Sequence, residues 1–279
     1  MAIALLLTAG CTGGHESTTR SYSVTPDGCL TITTPHPAFE ITPLSKEGNI
    51  TIERLILHTQ SGDVFGLLAA PLRPSVAIVH APGAGVTKES HKSRAVQYAQ
   101  HGVAYLVLDI RGHGGETRGT PLNPQEDYRR FTTGGWPENY AIIADLIEYG
   151  EVMRERFGVP VIVSGESNGG RYAAVAAATD ARFAGFIGIS TSGFSRIGDT
   201  YQGDARRFLL SIDPDAVVER IAPRPVWIFH APGDTIIPFE EGKALYEKAS
   251  EPRWFSPFNG THGVTGEVDA AILANITQV

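Results

Sequence analysis

The chain has 279 residues, 42% hydrophobic and 19% charged, which is ample material for one large core. Its 23 Lys and Arg against 30 Asp and Glu leave a net charge of −7 with no basic cluster, so nucleic acid is not an expected partner. No internal apolar run reaches the length of a membrane span, and two cysteines do not call for a disulfide framework.

In chain order, Ala2–Ala9 is a short apolar run that ends in small residues directly before Cys11. It resembles the end of a prokaryotic lipoprotein signal peptide, although no Lys or Arg precedes the run and Thr8 stands where a leucine is usual. Residues 1–11 are therefore read as a signal-like segment with Cys11 as the lipidation candidate. The expected location is outside the cytoplasm, at the cell surface, with membrane contact through that lipid alone. If Cys11 is lipidated, Cys29 is a lone thiol; otherwise a bridge between them is open. Residues 12–48 read as a polar tether and an extended, proline-rich lead-in (Pro26, Pro35, Pro37, Pro43).

From Ile50 the pattern becomes regular. Ile50–Thr59 and Val64–Pro71 flank the turn signal Gln60-Ser61-Gly62-Asp63 and predict an antiparallel hairpin. Val76–His80 and Ala104–Asp109 predict buried strands, with a helix over Ser93–His101 between them that stops at Gly102. Asn139–Phe157 is the longest predicted helix, with Ile143, Leu146, Ile147, Gly150, Met153 and Phe157 on one stripe. Strands are then expected at Val159–Val163, Phe186–Ile189, Val226–Phe229 and Trp254–Phe258, with helices after Ser167 and over Glu240–Ser250. These strands are continuous apolar runs, as in a parallel sheet covered on both faces. The expected class is α/β: a doubly wound, mostly parallel sheet with helices on both faces and ligand sites past the carboxyl ends of the strands. Residues 191–223 break the alternation and are a candidate small cap.

Chemistry collects at those strand ends. Gly165-Glu166-Ser167-Asn168-Gly169 places a serine on a sharp turn between strand and helix, where glycines two residues to either side leave room for the turn. Asp234 follows the Val226–Phe229 strand in His230-Ala231-Pro232-Gly233-Asp234, and His262 follows Trp254–Phe258 between Thr261 and Gly263. With these motifs and Asp109-Ile110-Arg111-Gly112-His113-Gly114, the chain from about residue 49 to its end resembles an α/β-hydrolase of the esterase, lysophospholipase and prolyl-oligopeptidase-like group. The resemblance implies a serine hydrolase that cleaves carboxylic esters through an acyl-enzyme, with no cofactor and no metal.

In that scheme Ser167 is the nucleophile, His262 the base and Asp234 the group that orients it. The backbone N–H of Asn168 is one expected oxyanion donor. The other comes from His80-Ala81-Pro82-Gly83-Ala84-Gly85, where Pro82 has no N–H to give, so Ala84 is preferred and Gly83 is the fallback. Asp213 or Asp215 could replace Asp234 as the acid. His80, His113 and His230 are read as packing groups beside the site, and Trp136 as a candidate for the substrate pocket. Three alternatives stay open: ester cleavage, amide or peptide cleavage by the same triad, and a non-catalytic hydrolase-fold protein that binds a ligand at the cell surface. The acyl and alcohol groups and the oligomeric state are not legible.

Overall fold

Strand β6 (Val76–Ala81), buried along its whole length, is the middle of a nine-stranded sheet in the computed structural model, which describes residues 19–276. In chain order the other strands of this sheet are β3 (Ala38–Glu47), β4 (Ile50–His58), β5 (Val64–Pro71), β7 (Val103–Leu108), β8 (Val161–Glu166), β9 (Gly185–Ile189), β10 (Val226–His230) and β11 (Arg253–Pro257). Their spatial order is β11-β10-β9-β8-β6-β7-β5-β4-β3. From β7 to β11 all neighbours are parallel, while β5 joins β7 antiparallel and the β4–β5 hairpin is antiparallel with Ile50 opposite Pro71. Because β6 has β7 on one side and β8 on the other, the chain leaves it in opposite directions. That reversal opens a crevice at the carboxyl ends of β6 and β8.

Helices cover both faces. One face carries α3 (Glu138–Phe157) and α4 (Ser167–Thr179), whose Leu146, Tyr149, Met153, Ala173 and Ala177 pack on β6 and β8 side chains such as Val79 and Val163. The other carries α1 (Lys92–Gln100) and α8 (Gly266–Asn275), where Tyr98, Val268 and Ile272 meet Ile78, Tyr105 and Ile162. Alternate residues of one strand thus serve opposite layers, which is why these strands are apolar throughout. The remaining helices are α2 (Pro124–Thr132), α5 (Gly203–Ser211), α6 (Pro214–Val217) and α7 (Phe239–Lys248). Among the described residues no helix is long and apolar enough to cross a membrane. The signal-like segment and Cys11 lie outside the described residues, and among the described residues Cys29 has no disulfide partner.

The lead-in is more ordered than its prolines suggest. Residues 21–33 form a two-stranded antiparallel ribbon of β1 (Ser21–Val24) and β2 (Leu30–Thr33), and β3 extends the main sheet along β4. β3 is an edge strand, and its register shifts between Pro43 and Ser45, so Pro43 sits where a missing N–H is tolerated. The ribbon also explains why α3 is buried well beyond its apolar stripe. Tyr22 packs on Tyr140, with ring centroids 4.8 Å apart. Arg20 donates to Asp145 at 2.7 Å and to Glu148 at 2.7 Å.

Arg111 completes that buried network. Its guanidinium donates to Asp145 at 2.7 Å, to the carbonyl oxygens of Ser61 and Gly62 at 2.7 and 3.1 Å, and to Thr59 Oγ1 at 2.9 Å. The Asp109–Gly114 segment therefore ties the hairpin turn to α3 and organises the fold rather than the chemistry. Arg111→Met should strand the carbonyls and weaken the Asp145 pairing, lowering stability by about 3–5 kcal/mol. Urea denaturation checks this, and a loss under about 1 kcal/mol would show that the network is not what holds the turn.

Candidate active site

β8 ends at Glu166 and α4 begins at the next residue, so Ser167 sits where extended backbone becomes helix within one peptide unit. Its φ is +52°, a left-handed conformation for a non-glycine residue. The turn closes only because its neighbours lack side chains. A Cβ on Gly169 would overlap the carbonyl oxygens of Ala81 and Pro82, and one on Gly170 would lie 2.6 Å from Thr191 Oγ1. A Cβ on Gly165 would press on the backbone of Gly169 and Gly170. The glycines before and after the serine thus let α4 descend onto the ends of β6 and β8.

Past β10, Asp234 is buried, and its Oδ1 accepts the backbone N–H groups of Ile236 and Ile237 at 2.8 and 2.9 Å. His262, in the loop after β11, brings Nδ1 to 2.8 Å from Asp234 Oδ2 and 3.0 Å from Oδ1. Burial works to raise the Asp234 pKa, but the Ile237 N–H, the His262 hydrogen bond and the Ile236 N–H together hold it below the ordinary carboxylate value. Ser167 and His262 line one cleft of about 720 Å³, without a direct hydrogen bond between them. The acids that could have replaced Asp234 are engaged elsewhere. Asp213 accepts the N–H groups of Phe194, Arg196 and Asp215, and Asp215 accepts that of Ser195.

Two residues at the end of β9 brace this arrangement. Ser190, fully buried with φ +46°, accepts the Gly263 N–H on Oγ at 3.1 Å and so positions the histidine loop. Thr191 Oγ1 donates to the carbonyl of Ser167 at 2.7 Å. Sequence reading missed both, because a serine and a threonine after a short strand carry no signal of their own. His230 packs against Gly242 of α7 and contacts the carbonyl of Ile237 through Nε2 at 2.9 Å. His113 lies half-buried, 6.1 Å from the Tyr172 ring. Trp136 stands edge-on to Tyr22 with centroids 5.3 Å apart and lines neither cavity beside the serine, so the pocket expected for it finds no support in the geometry.

On the far side of Ser167 lies the loop after β6. There the Gly83 N–H donates to Glu166 Oε1 at 3.2 Å, and His91 Nε2 lies 3.4 Å from the same oxygen. Burial works to raise the Glu166 pKa, but His91 and the Gly83 N–H outweigh it and keep this carboxylate below its ordinary value. His80, His91 and Glu166 each place one potential ligand atom within 4.8 Å of the others. A metal would have to displace Arg94, whose Nη1 is 3.3 Å from His80 Nε2, while His80 Nδ1 is bonded to Ser164 Oγ at 2.8 Å. Arg94 is itself fixed to Asp269 at 2.7 Å, so a permanent cation already fills that corner. Burial, with the charge of Arg94 and the neighbouring His91 ring, pushes the His80 pKa well down and favours the neutral ring.

A second, more enclosed cavity of about 250 Å³ lies on the α4 side and is lined by Asn168, the residue after Ser167. Asn168, Arg171, Tyr172 and Val175 of α4 face Phe194, Phe208 and Ile212 of the candidate cap across it. A groove of about 500 Å³ between Trp227, Trp254 and α8 lies apart from both.

Residues 72–212 match the family model described as serine aminopeptidase, S33. No curated protein matches the chain by sequence. Among solved structures, an acetyl xylan esterase from a Paenibacillus species superposes with a TM-score of 0.71 at 18% identity, covering 87% of this chain and 89% of its own. Acetyl xylan esterase 1 from a Thermoanaerobacterium species gives 0.68 at 15% identity, with 87% and 88% covered. A glucuronoyl esterase from Solibacter usitatus gives 0.64 at 15% identity, with 86% and 85% covered. At these identities the likeness is one of fold.

Proposed function

The chain belongs to the serine aminopeptidase S33 family of hydrolases, and from that premise we propose that it cleaves carboxylic esters through an acyl-enzyme on Ser167. The observation that carries the reading is the 2.8 Å contact between His262 Nδ1 and Asp234 beside a serine held at φ +52°. In the mechanism, His262 Nε2 takes the Ser167 proton as Oγ attacks the ester carbonyl. Asp234 holds the Nδ1–H, fixing the tautomer and favouring the imidazolium. His262 then protonates the leaving alcohol, and a water deprotonated by the same ring releases the acid.

The tetrahedral intermediate needs N–H donors. Asn168 offers one, at the start of α4, where first-turn N–H groups have no partner within the helix. On the β6 loop the Gly83 N–H is already given to Glu166, which supports Ala84 as the second donor.

Ester rather than aminopeptidase chemistry is favoured by the acids in the cleft. An aminopeptidase needs a carboxylate for the substrate ammonium. Glu166 is matched by Gly83 and His91, and Asp269 by Arg94 and by the Tyr98 hydroxyl at 2.8 Å. The acetyl xylan and glucuronoyl esterases among the structural neighbours support the same choice. The run ending at Cys11 supports a further part of the proposal, an extracytoplasmic enzyme tethered by lipid on that cysteine.

A fluorophosphonate probe should label the wild type and leave Ser167→Ala unlabelled, with kcat on p-nitrophenyl esters falling at least ~10⁴-fold in the variant. Folded wild-type protein that takes no label would overturn the enzymatic reading, and turnover of an aminoacyl amide above that of the esters would favour the peptidase. Ala84→Pro, which deletes one N–H, should lower kcat on the order of 10²-fold, whereas Ala84→Gly should retain most of it. For the tether, mass analysis of the mature protein should find a chain beginning at a lipid-modified Cys11; a chain that keeps Met1 and an unmodified Cys11 ends that idea.

A further inference from the structure

Arg171 is a half-buried cation without an ion-pair partner among the described residues. It leaves the face of α4 one turn after Ser167, lies over the Phe194 ring at 4.6 Å, and donates to Ser192 through Nε at 3.2 Å and Nη2 at 2.9 Å. The acids around it are Asp213, Asp215 and Glu241, and none reaches it. Asp213 is spent on three backbone N–H groups. Asp215 takes the Ser195 N–H at 2.8 Å and lies 3.3 Å from Lys248 Nζ, and Glu241 accepts the Ser195 hydroxyl at 3.5 Å. Burial lowers the Arg171 pKa from its usual value, as expected of a guanidinium that has given up water and gained no carboxylate. The buried cations Arg20, Lys88, Arg94 and Arg111 each sit on a carboxylate at 2.7 Å. The half-buried Arg224, also without an ion pair among the described residues, spends its guanidinium on the carbonyls of Ala177, Asp180 and Phe183 and does not line the cavity beside α4.

Arg171 also lines the 250 Å³ cavity that begins at Asn168, the residue after the nucleophile. Its other walls are largely apolar, including Leu122, Ile143, Val175 and Phe208. In such surroundings an ionic hydrogen bond is stronger than in water, and a planar fork of N–H donors suits a carboxylate. The cavity has room for roughly eight non-hydrogen atoms if each takes the ~30 Å³ share of a water molecule. We infer that this cavity receives an anionic end of the ester substrate, with its carboxylate on the Arg171 guanidinium, so that the natural substrate is a short ester carrying a free carboxylate a few atoms from the scissile bond. This rests on Ser167 being the nucleophile of an esterase.

The test compares matched esters by kcat/KM. On the acyl side the pair is monoethyl glutarate and ethyl valerate; on the alcohol side it is the acetate ester of 4-hydroxybutyrate and butyl acetate. In the wild type, at least one anionic ester should exceed its neutral partner tenfold or more, with the advantage residing in KM and shrinking as salt is added. Arg171→Gln should cut that anionic-to-neutral ratio at least tenfold, and Arg171→Lys should restore part of it. A wild-type ratio near one in both pairs overturns the inference, as does a ratio unchanged in Arg171→Gln, and neither outcome touches the esterase reading. If no ester is turned over and no serine probe binds, the esterase reading fails and the inference falls with it. Because the wild-type ratio is informative alone, a variant that fails to fold does not shield the proposal.

Discussion

The tightest constraint in this molecule is the approach of α4 to the ends of β6 and β8. Gly165 and Gly169 meet backbone to backbone, and Gly169 also lies against the carbonyls of Ala81 and Pro82. That contact leaves no volume for a methyl group at either position, so the chain must turn in one residue and Ser167 takes the left-handed φ. A conformation of this kind carries about 1–3 kcal/mol of strain, which the surrounding packing must offset. Thr191 on the carbonyl of Ser167 contributes to that restraint, as do the apolar layers on both faces of the sheet. The Ser167 hydroxyl is thereby presented at the crevice by geometry and not by a hydrogen bond of its own.

Charge is arranged around that point with equal economy. Glu166, one residue before the serine, would set an anion next to the position where the proposed mechanism develops an oxyanion, and an unpaired charge there would oppose that reaction. The Gly83 N–H and His91 offset it. The same pairing occupies the Gly83 N–H, which is why the proposed mechanism turns to Ala84 for its second oxyanion donor. On the opposite side, Asp234 is anchored by two N–H groups before it meets His262, which fixes the carboxylate independently of the ring. The histidine loop is held from a third direction by Ser190.

Much of this was legible because strand ends announce themselves. A strand followed by a glycine-bearing loop with a polar residue marked Ser167, Asp234 and His262 as candidates, and the parallel sheet carries the ends of all three strands on one edge. What the chain did not announce were contacts made across that edge. Ser190 and Thr191 look like any polar pair after a strand, and Glu166 reads as filler within its motif until Gly83 and His91 are seen beside it. β3 was hidden by prolines, since an edge strand with a bulge tolerates what a central strand rejects. Trp136 is ambiguous for the opposite reason. An aromatic residue after a glycine pair suggests a pocket wall, yet its partner is Tyr22 from the N-terminal ribbon, far away in sequence.

The segment between β9 and β10 separates reactivity from selection. Nothing in it supplies the groups assigned to bond cleavage, yet its own buried acid, Asp213, gathers the N–H groups of Phe194 and Arg196 and so fixes Phe194 over Arg171. The helix that begins at the proposed nucleophile therefore has two faces with different duties. In the proposed mechanism its first residues meet the reacting carbonyl, and one turn further on Arg171 lines the cavity that the cap-like segment covers. Changes beyond Thr191 in that segment could reshape the cavity without moving Ser167, because the serine is fixed by Gly165, Gly169 and the Thr191 contact, which lie before the cap-like part begins. A fold that sets its reactive atoms by backbone contact is free to vary its substrate by side chains, and the role proposed for Arg171 is of that kind.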